Sequence, residues 1–490
     1  MKIIEKYCFT FTYVFLIVFL NCILCSVVFG ANTLKVPSEF STIQLAIDSA
    51  LNDDVIIIAD GVYKGEGNIK IDYKGKLITV KSENGPDNCV IDCENKGWGF
   101  YFSRGGGRLS KIEGITIKNG SGGGIYCGET SLTIINCKII ENEIGIQCYN
   151  NSYPLISNSV ISNNTTKGIY CLNNASATIE NSIINYNNES GIFIDNSSPN
   201  IKNCELIGNK KYGAIYCLKS KSLIENCTLS GNSATYGGAI NCNANSELKI
   251  FQCIVNGNTS NNGGGIFISS SNPTIKNCSI MNNTSQNGGG IYFINTSATV
   301  INCTLFNNSA GQGGSIYNTG DDQSPPVITN SIMWGNLPSE IFNDANQELN
   351  ITHSLIQGGY SGVGNIDSDP MFAASGDFKL KTDSPAINAG INDENSPNID
   401  IVGTIRPQGQ GIDIGAYESI ENNTVYIKGD LNNDDVVNIF DAVKLVQYIV
   451  GNVDSLGEPS NKGDLNNDGS INIFDAVKLI QYIIGNIDSL

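Results

Sequence analysis

Near the C-terminal end of this 490-residue chain, oxygen-bearing side chains fall on alternate positions. Counting Asp430 as position 1, positions 3, 5, 9 and 12 are Asn432, Asp434, Asn438 and Asp441, with the carbonyl of Val436 at position 7. The set recurs as Asp464, Asn466, Asp468, Asn472 and Asp475, with Ser470 at position 7. Hard oxygen donors at this spacing wrap a calcium ion. A merely solvated acidic loop has no reason to repeat these positions, so the duplication predicts two bound Ca2+ ions.

Each loop runs into an apolar helix, "FDAVKLVQYIV" or "FDAVKLIQYII". Helical spacing places Ala442, Leu445, Val446 and Ile449 on one face, with Ala476, Leu479, Ile480 and Ile483 in the copy. No helix precedes either loop, position 12 is Asp where an EF-hand has Glu, and Asp435 stands where the copy has Gly469. Only six of 28 positions differ between 429–456 and 463–490. Over 428–490 this arrangement closely resembles the type I dockerin, a small all-α calcium-binding module that plugs into the cohesin of a scaffold protein. The resemblance implies that positions 10 and 11 touch the cohesin: Ile439 and Phe440, then Ile473 and Phe474. Many dockerins carry a hydroxyl pair there, so the apolar pair leaves cohesin specificity open. Near-identical copies imply a pseudo-twofold that lets either face engage one cohesin.

Elsewhere, side chains suited to catalysis are sparse. There are three arginines (Arg104, Arg108, Arg406) and one histidine, His353, with no identifiable Ser or Cys partner. A lyase needs a Lys or Arg base beside a calcium-binding carboxylate cluster, and a hydrolase needs two carboxylates close together. No Asp or Glu lies between Glu247 and Asp321. Early candidates are Asp92, Glu94, Arg104, Arg108, Lys111 and Glu113, which the sequence alone does not bring together. Catalytic residues are therefore left unassigned.

What would position such groups is a repeat. A polar-then-small pair recurs with its small member at Cys137, Ser159, Ser182, Cys204, Cys227, Cys253, Cys278, Cys303 and Ser331, at spacings of 22 to 28 residues. An aliphatic residue precedes it by three positions, and Asn follows it by five, from Asn142 to Asn336. Strands this short bury an apolar face only by stacking coil on coil. The expected fold is an all-β parallel β-helix (solenoid) with about three strands per coil, its recurring Asn both turning corners in a left-handed conformation and bonding in ladders. Ser41 is the expected cap of a short helix reaching Leu51 that plugs the first coil. Thirteen cysteines follow the leader, mostly in columns that point inward, where they read as small apolar core residues.

A second repeated element, "G-I-Y", sets an outward column. It holds Tyr126, Gln147, Tyr170, Phe193, Tyr216, Asn241, Phe267, Tyr292 and Tyr317. Its seven aromatics can stack on successive sugars of a polysaccharide, with the small residues Gly124, Gly168, Ala214, Gly265 and Gly290 leaving ring faces uncovered. The same rings can instead serve only to stabilise the sheet. Glu180, Lys202, Glu225 and Lys276 read as a solvated ladder of ion pairs.

Residues 33–340 resemble the right-handed β-helix superfamily, which hosts lyases, hydrolases, epimerases and adhesins. The stretch 345–420 resembles a choice-of-anchor Q segment, through residues such as Asp369, Pro370, Phe372, Arg406, Asp413, Gly415 and Glu418, and is expected to close the last coil. Two early lysines and an apolar run make 1–30 a signal peptide, long enough also to be an uncleaved anchor; no later segment is apolar enough to span a bilayer. The expected organisation is signal peptide 1–30, N-terminal cap 31–60, coils 61–344, closing segment 345–420, linker 421–427 and dockerin 428–490. A net charge of −18 argues against nucleic-acid partners. The resulting expectation is a secreted, scaffold-tethered cellulosome component acting on a plant-type polysaccharide, as a lyase or glycoside hydrolase. The alternative is a non-catalytic carbohydrate-binding or adhesin-like surface protein.

Overall fold

The computed structural model describes residues 31–103, 105–320, 325–374, 377–420, 428–432, 434, 436–456, 462–487 and 489–490. The expected signal peptide and linker, Arg104 and Asp435 lie outside the described residues. The chain forms two compact units, one ending at Ser419 and one running from Ile420 to Leu490.

The first unit is the expected β-solenoid. Three parallel sheets of 14, 13 and 11 strands run its length, each strand paired with its equivalent one coil on. Register is strict, so that Ile134 faces Ile156, and Ile156 faces Ile179. These isoleucines are fully buried in one continuous core. All thirteen described cysteines are free and buried, as the column pattern indicated. Burial pushes the Cys89 thiol up to about 12, which leaves it protonated and inert at neutral pH.

The recurring Asn behaves differently from expectation. The left-handed corner residue is the one before it, for example Asn163 (φ 54°) or Tyr186 (φ 54°), while the Asn itself turns inward. Asn232 is representative. Its N–H and Nδ2 both donate to Asn258 Oδ1 at 2.9 Å, and Nδ2 also donates to the Leu206 carbonyl at 2.9 Å. Its own Oδ1 accepts from N and Nδ2 of Asn209 at 2.9 and 3.0 Å. Every polar atom of this buried amide is therefore satisfied by a copy of itself in a neighbouring coil. The ladder ends on a carboxylate, because Asn336 donates its N–H and Nδ2 to Glu340 at 3.0 and 2.6 Å.

The glycines before the outward column serve the same corner. A Cβ on Gly168 would stand 2.6 Å from the Gly191 carbonyl and 2.8 Å from Asn187 Nδ2. Small residues are required there by the backbone of the next coil, and not to uncover ring faces.

The N-terminal plug is α1, Ile43–Ser49, capped by Thr42 rather than Ser41, with Thr42 Oγ1 accepting from the Leu45 N–H at 3.3 Å. In the last coils, Ala386 and Ile414 pack with Ile332 and Leu355, whose strand neighbours Met333 and Ile356 face the main core, so this segment covers the outer face of the second sheet. The segment then does more, running back along the corner between the first and second sheets. Gln252, Asn302 and Asn330 donate their side-chain amides to the carbonyls of Asp400, Asp413 and Ile391 at 2.8, 3.0 and 2.8 Å. A buried ion pair knots this strap: Arg406 NH1 lies 2.8 Å from Glu418 Oε2, and Arg406 NH2 donates to the Gly415 carbonyl at 2.9 Å.

The second unit holds two helices, α2 (Ile439–Ile449) and α3 (Ile473–Ile483), each entered from an acidic loop. Its core is small: Leu431, Ala442, Leu445, Leu456, Leu465, Ala476 and Leu479. The two halves interlock symmetrically. A Cβ on Gly429 would meet Leu490 and Leu479, and one on Gly463 would meet Leu456 and Leu445. Val446 and Ile480 depart from the expected core face, being 37% and 39% exposed. They lie at the border of the buried arc, about 100° of helical rotation from Leu445 and Leu479.

Candidate functional site

The loop of the first half gathers charge. Asp430, Asp434 and Asp441 offer carboxylate oxygens all within 4.8 Å of one another. The loop is held by its own acids: Asp434 N–H donates to Asp430 Oδ1 and Asn432 Oδ1 at 3.2 and 3.0 Å, and Val436 N–H to Asp434 Oδ1 at 3.0 Å. Asp441 is fully buried, taking the N–H groups of Leu431 and Asn432 on Oδ1 and that of Asn438 on Oδ2. Asn438 caps α2 by accepting from Phe440 N–H at 2.8 Å. In the copy, Asp475 repeats all three bonds, Asp464 and Asn466 accept from Asp468 N–H, Asp468 accepts from Ser470 N–H, and Asn472 caps α3.

Three carboxylates this close repel one another, and the donor set is all oxygen, so the residues fit a hard divalent cation. Lysines tie the loops to the helices: Lys444 Nζ donates to the Leu431 carbonyl at 2.6 Å, and Lys478 and Lys428 to that of Leu465 at 2.8 and 2.9 Å. The residues at loop positions 10 and 11 face solvent. Ile439 and Phe440 are 53% and 68% exposed, Ile473 and Phe474 55% and 69%. Val443, Val450, Val477 and Ile484 extend each exposed apolar stripe along its helix.

On the solenoid, the outward column is in register on the third sheet, from Tyr126 opposite Gln147 to Tyr292 opposite Tyr317. The rings lie against one another. Phe193 stacks on Tyr216 at 4.7 Å, Phe267 on Tyr292 at 5.2 Å, Tyr292 on Tyr317 at 4.8 Å, and Tyr317 on Phe342 at 5.1 Å. Tyr170 meets Phe193 edge-on at 5.3 Å. Tyr292 and Tyr317 thus spend both faces on neighbouring rings, whereas Tyr216 and Phe267 each stack a ring on one side and adjoin Asn241 on the other.

Two comparisons with known families fit this geometry. The model for the right handed beta helix region matches residues 78–222 and 212–332, together more than half of the chain. The chain belongs to the right handed beta helix family. Its C-terminal unit is a type I dockerin domain, matched over residues 428–484. Among solved structures, the β-helix resembles pectate lyase Pel9A at 16% identity and TM-score 0.40, over 79% of this chain and 96% of that one. It also resembles a PL6 alginate lyase in complex with a trisaccharide, at 12% and 0.43 over 80% and 96%. A third is the catalytic unit of the GH87 alpha-1,3-glucanase from Streptomyces thermodiastaticus, at 12% and 0.38 over 69% of each chain. No curated protein matches the sequence.

Among the described residues, the early acids and cations of this β-helix do not converge. Asp92 ends a strand of the second sheet, where it pairs with Lys64 at 3.3 Å and accepts from Asn119 Nδ2 at 2.8 Å. Lys111 and Glu113 belong to a strand of the first sheet, with Arg108 just before it, while Glu94 pairs with Lys96. His353 sits in a left-handed turn (φ 47°), its buried Nδ1 without a partner among the described residues. Of the expected ion-pair ladder, Lys202 and Glu225 pair at 2.5 Å.

One charged cluster beside the rings escaped the sequence reading. Glu189 lies between Lys167 (2.7 Å) and Lys211 (2.5 Å), and Lys167 sits 4.9 Å over Tyr170 and 5.4 Å over Phe193. Burial works to raise the Glu189 carboxyl, but hydrogen bonds from the two lysines outweigh it and hold the group below its ordinary range. A signal was available: Lys167 stands one residue before "GIY" and Glu189 two residues before "GIF" in the next coil, so opposite charges fall near one another beside the column. Tyr101 and Phe342, which extend the column at its two ends, were also missed because their coils lack the "G-I" pair.

Proposed function

We propose that this protein is a secreted cellulosome component whose β-helix holds a plant-type polysaccharide and whose dockerin unit, folded around two Ca2+ ions, docks into a scaffold cohesin. The observation that carries the reading is the duplicated acidic loop, which gathers a carboxylate cluster in the first copy and is followed in both copies by an exposed Ile–Phe pair. Calcium is held by Asp430, Asn432, Asp434, Val436, Asn438 and Asp441, and in the copy by Asp464, Asn466, Asp468, Ser470, Asn472 and Asp475. When bound, the ion neutralises the cluster and fixes the loop. The chain's own residues then set the pitch of α2 and α3 and present Ile439, Phe440, Ile473 and Phe474 to the cohesin.

On the β-helix, Tyr126, Tyr170, Phe193, Tyr216, Phe267, Tyr292 and Tyr317 contact glycan through ring edges and hydroxyls, with Lys167, Glu189 and Lys211 as the polar partners. Holding glycan without cleaving it accords with the early acids being spread over two sheets. Hydrolysis remains a second reading because one cleft of ≈570 Å³ is lined by both Glu340 and Glu348. Burial pushes Glu340 up to about 7, suited to a general acid, and Tyr360 donates to Glu348 at 2.8 Å.

The deciding experiment captures the full chain on a panel of immobilised cohesins with calcium or with chelator. Capture that is calcium-dependent and lost in the double variant Phe440→Asp, Phe474→Asp supports the docking role. Capture by none of the panel counts against it. Release of reducing or unsaturated ends from pectin, xylan or alginate separates degradation from holding.

A further inference from the structure

The aromatic column has an N-terminal end, and the end ring is not like the inner ones. Tyr292 is covered on both faces, by Phe267 and Tyr317. Tyr101 stacks one face on Tyr126 at 4.7 Å, with an interplanar angle of 12°. One coil earlier the backbone still pairs, since Tyr101 N–H donates to the Ile71 carbonyl at 2.9 Å and Ile71 bridges Phe100. This register sets Asp72 where the next ring would stand. A short carboxylate in place of a ring leaves an open cleft of ≈650 Å³, lined by residues including Gln44, Glu66, Lys70, Asp72, Lys96 and Tyr101.

The walls of the cleft are built. Gln44 Oε1 accepts from the Asp72 N–H at 2.9 Å while its Nε2 donates to the Asp72 carbonyl at 3.0 Å, and the Lys74 N–H holds Asp72 Oδ1 at 2.9 Å. Only the Lys70 ammonium stands over the Tyr101 ring, at 5.8 Å, and it has no carboxylate partner among the described residues. Lys74 and Lys96, by contrast, are paired with Asp48 and Glu94.

From this arrangement we infer that the cleft is a sugar subsite: a pyranose residue lays its C–H face on the Tyr101 face that Tyr126 leaves uncovered, the exposed Lys70 side chain moves aside from over the ring, and the sugar hydroxyls sit between the Asp72 and Glu66 carboxylates and the Lys70 ammonium. A hydroxyl donates to a carboxylate and accepts from an ammonium at once, so a mixed pair of charges suits a neutral sugar. An anionic sugar would face two carboxylates. The subsite rests on the polysaccharide reading and adds to it a place and a ligand class. It lies beyond the expected column, which begins at Tyr126.

Trp98, 6.4 Å from Tyr101, reports on the site through its fluorescence. The test titrates the full chain with cellohexaose, xylohexaose and hexagalacturonate, following tryptophan fluorescence and heat. Binding of a neutral hexaose should weaken about tenfold or more in Tyr101→Ala, persist in Tyr101→Phe, and fall in Lys70→Ala. Lys70 is exposed, so its variant tests the site even where Tyr101→Ala disturbs the ladder. Wild-type binding that survives both Tyr101→Ala and Lys70→Ala overturns the subsite alone, and so does preference for the galacturonate. Failure of the wild type to bind any of the three overturns the polysaccharide reading and the subsite with it.

Discussion

In the coils, a corner is closed by Asn232, whose amide donates and accepts at once; in the dockerin unit, a loop is closed by Asp434, which can only accept. The coil amide finds its partners in copies of itself above and below, and the neutral ladder is complete within the chain. The loop carboxylates satisfy backbone N–H groups equally well, but they accumulate negative charge in one place. Repetition therefore stabilises the solenoid without outside help, whereas on the proposed reading it leaves the dockerin unit dependent on a cation. Core size sharpens the contrast, because the coils share one long buried stack of isoleucine and cysteine, while the dockerin core has seven buried residues.

Several variants would break or sharpen this contrast. The largest effect is expected from Asp441→Ala, which removes a proposed cation ligand and frees three backbone N–H groups. The dockerin unit should then lose its cooperative melting even with calcium present, while the β-helix transition stays in place, as calorimetry of the full chain would read. Next comes Asn232→Ala, which takes the Oδ1 acceptor from the N–H and Nδ2 of Asn209, leaving Nδ2 only the Ile184 carbonyl, and removes a donor from the Leu206 carbonyl. A loss of about 3 kcal/mol or more is expected from urea unfolding of the β-helix, with no change in calcium affinity.

Smaller effects should follow at the ladder's charged end and on its outer face. Burial raises Glu340 from its ordinary 4.5 to about 7, so the fold favours its neutral form. Its stabilising contribution is full below about pH 4.5 and is lost as pH rises through about 7. The urea midpoint should accordingly fall by the equivalent of roughly 2 kcal/mol between pH 5 and pH 8, and Glu340→Gln should flatten that step. Tyr292→Ala removes two stacked contacts and should lower β-helix stability by about 1–2 kcal/mol, measured the same way. A larger loss would mean that the rings carry the sheet and do not merely cover it.

Much of this organisation was legible in the sequence because repetition writes it many times. The inward Ile and Cys columns, the Asn ladder and the three strands per coil all recur every 22 to 28 residues, and each holds, although the ladder Asn is not itself the left-handed corner residue. What failed was local and unrepeated. The left-handed residue before each ladder Asn varies among Glu141, Asn163, Tyr186 and Gly208, so its identity conceals a shared backbone state. The strap from 386 to 416 returns to Gln252 across 148 residues, and nothing periodic announces it. Tyr101 was hidden because its coil reads Gly99-Phe100-Tyr101, with Phe where the column motif has Ile. Ring faces could not be judged from spacing alone, since a stripe of aromatics reads the same whether its members face solvent or one another.

The most direct test of a cation-dependent attachment unit beside a self-sufficient solenoid is differential scanning calorimetry of the full chain, in calcium and then in chelator. Two transitions should appear in calcium, and chelator should abolish the one belonging to residues 420–490 while leaving the β-helix transition unmoved. Superimposable scans in the two conditions would contradict the account.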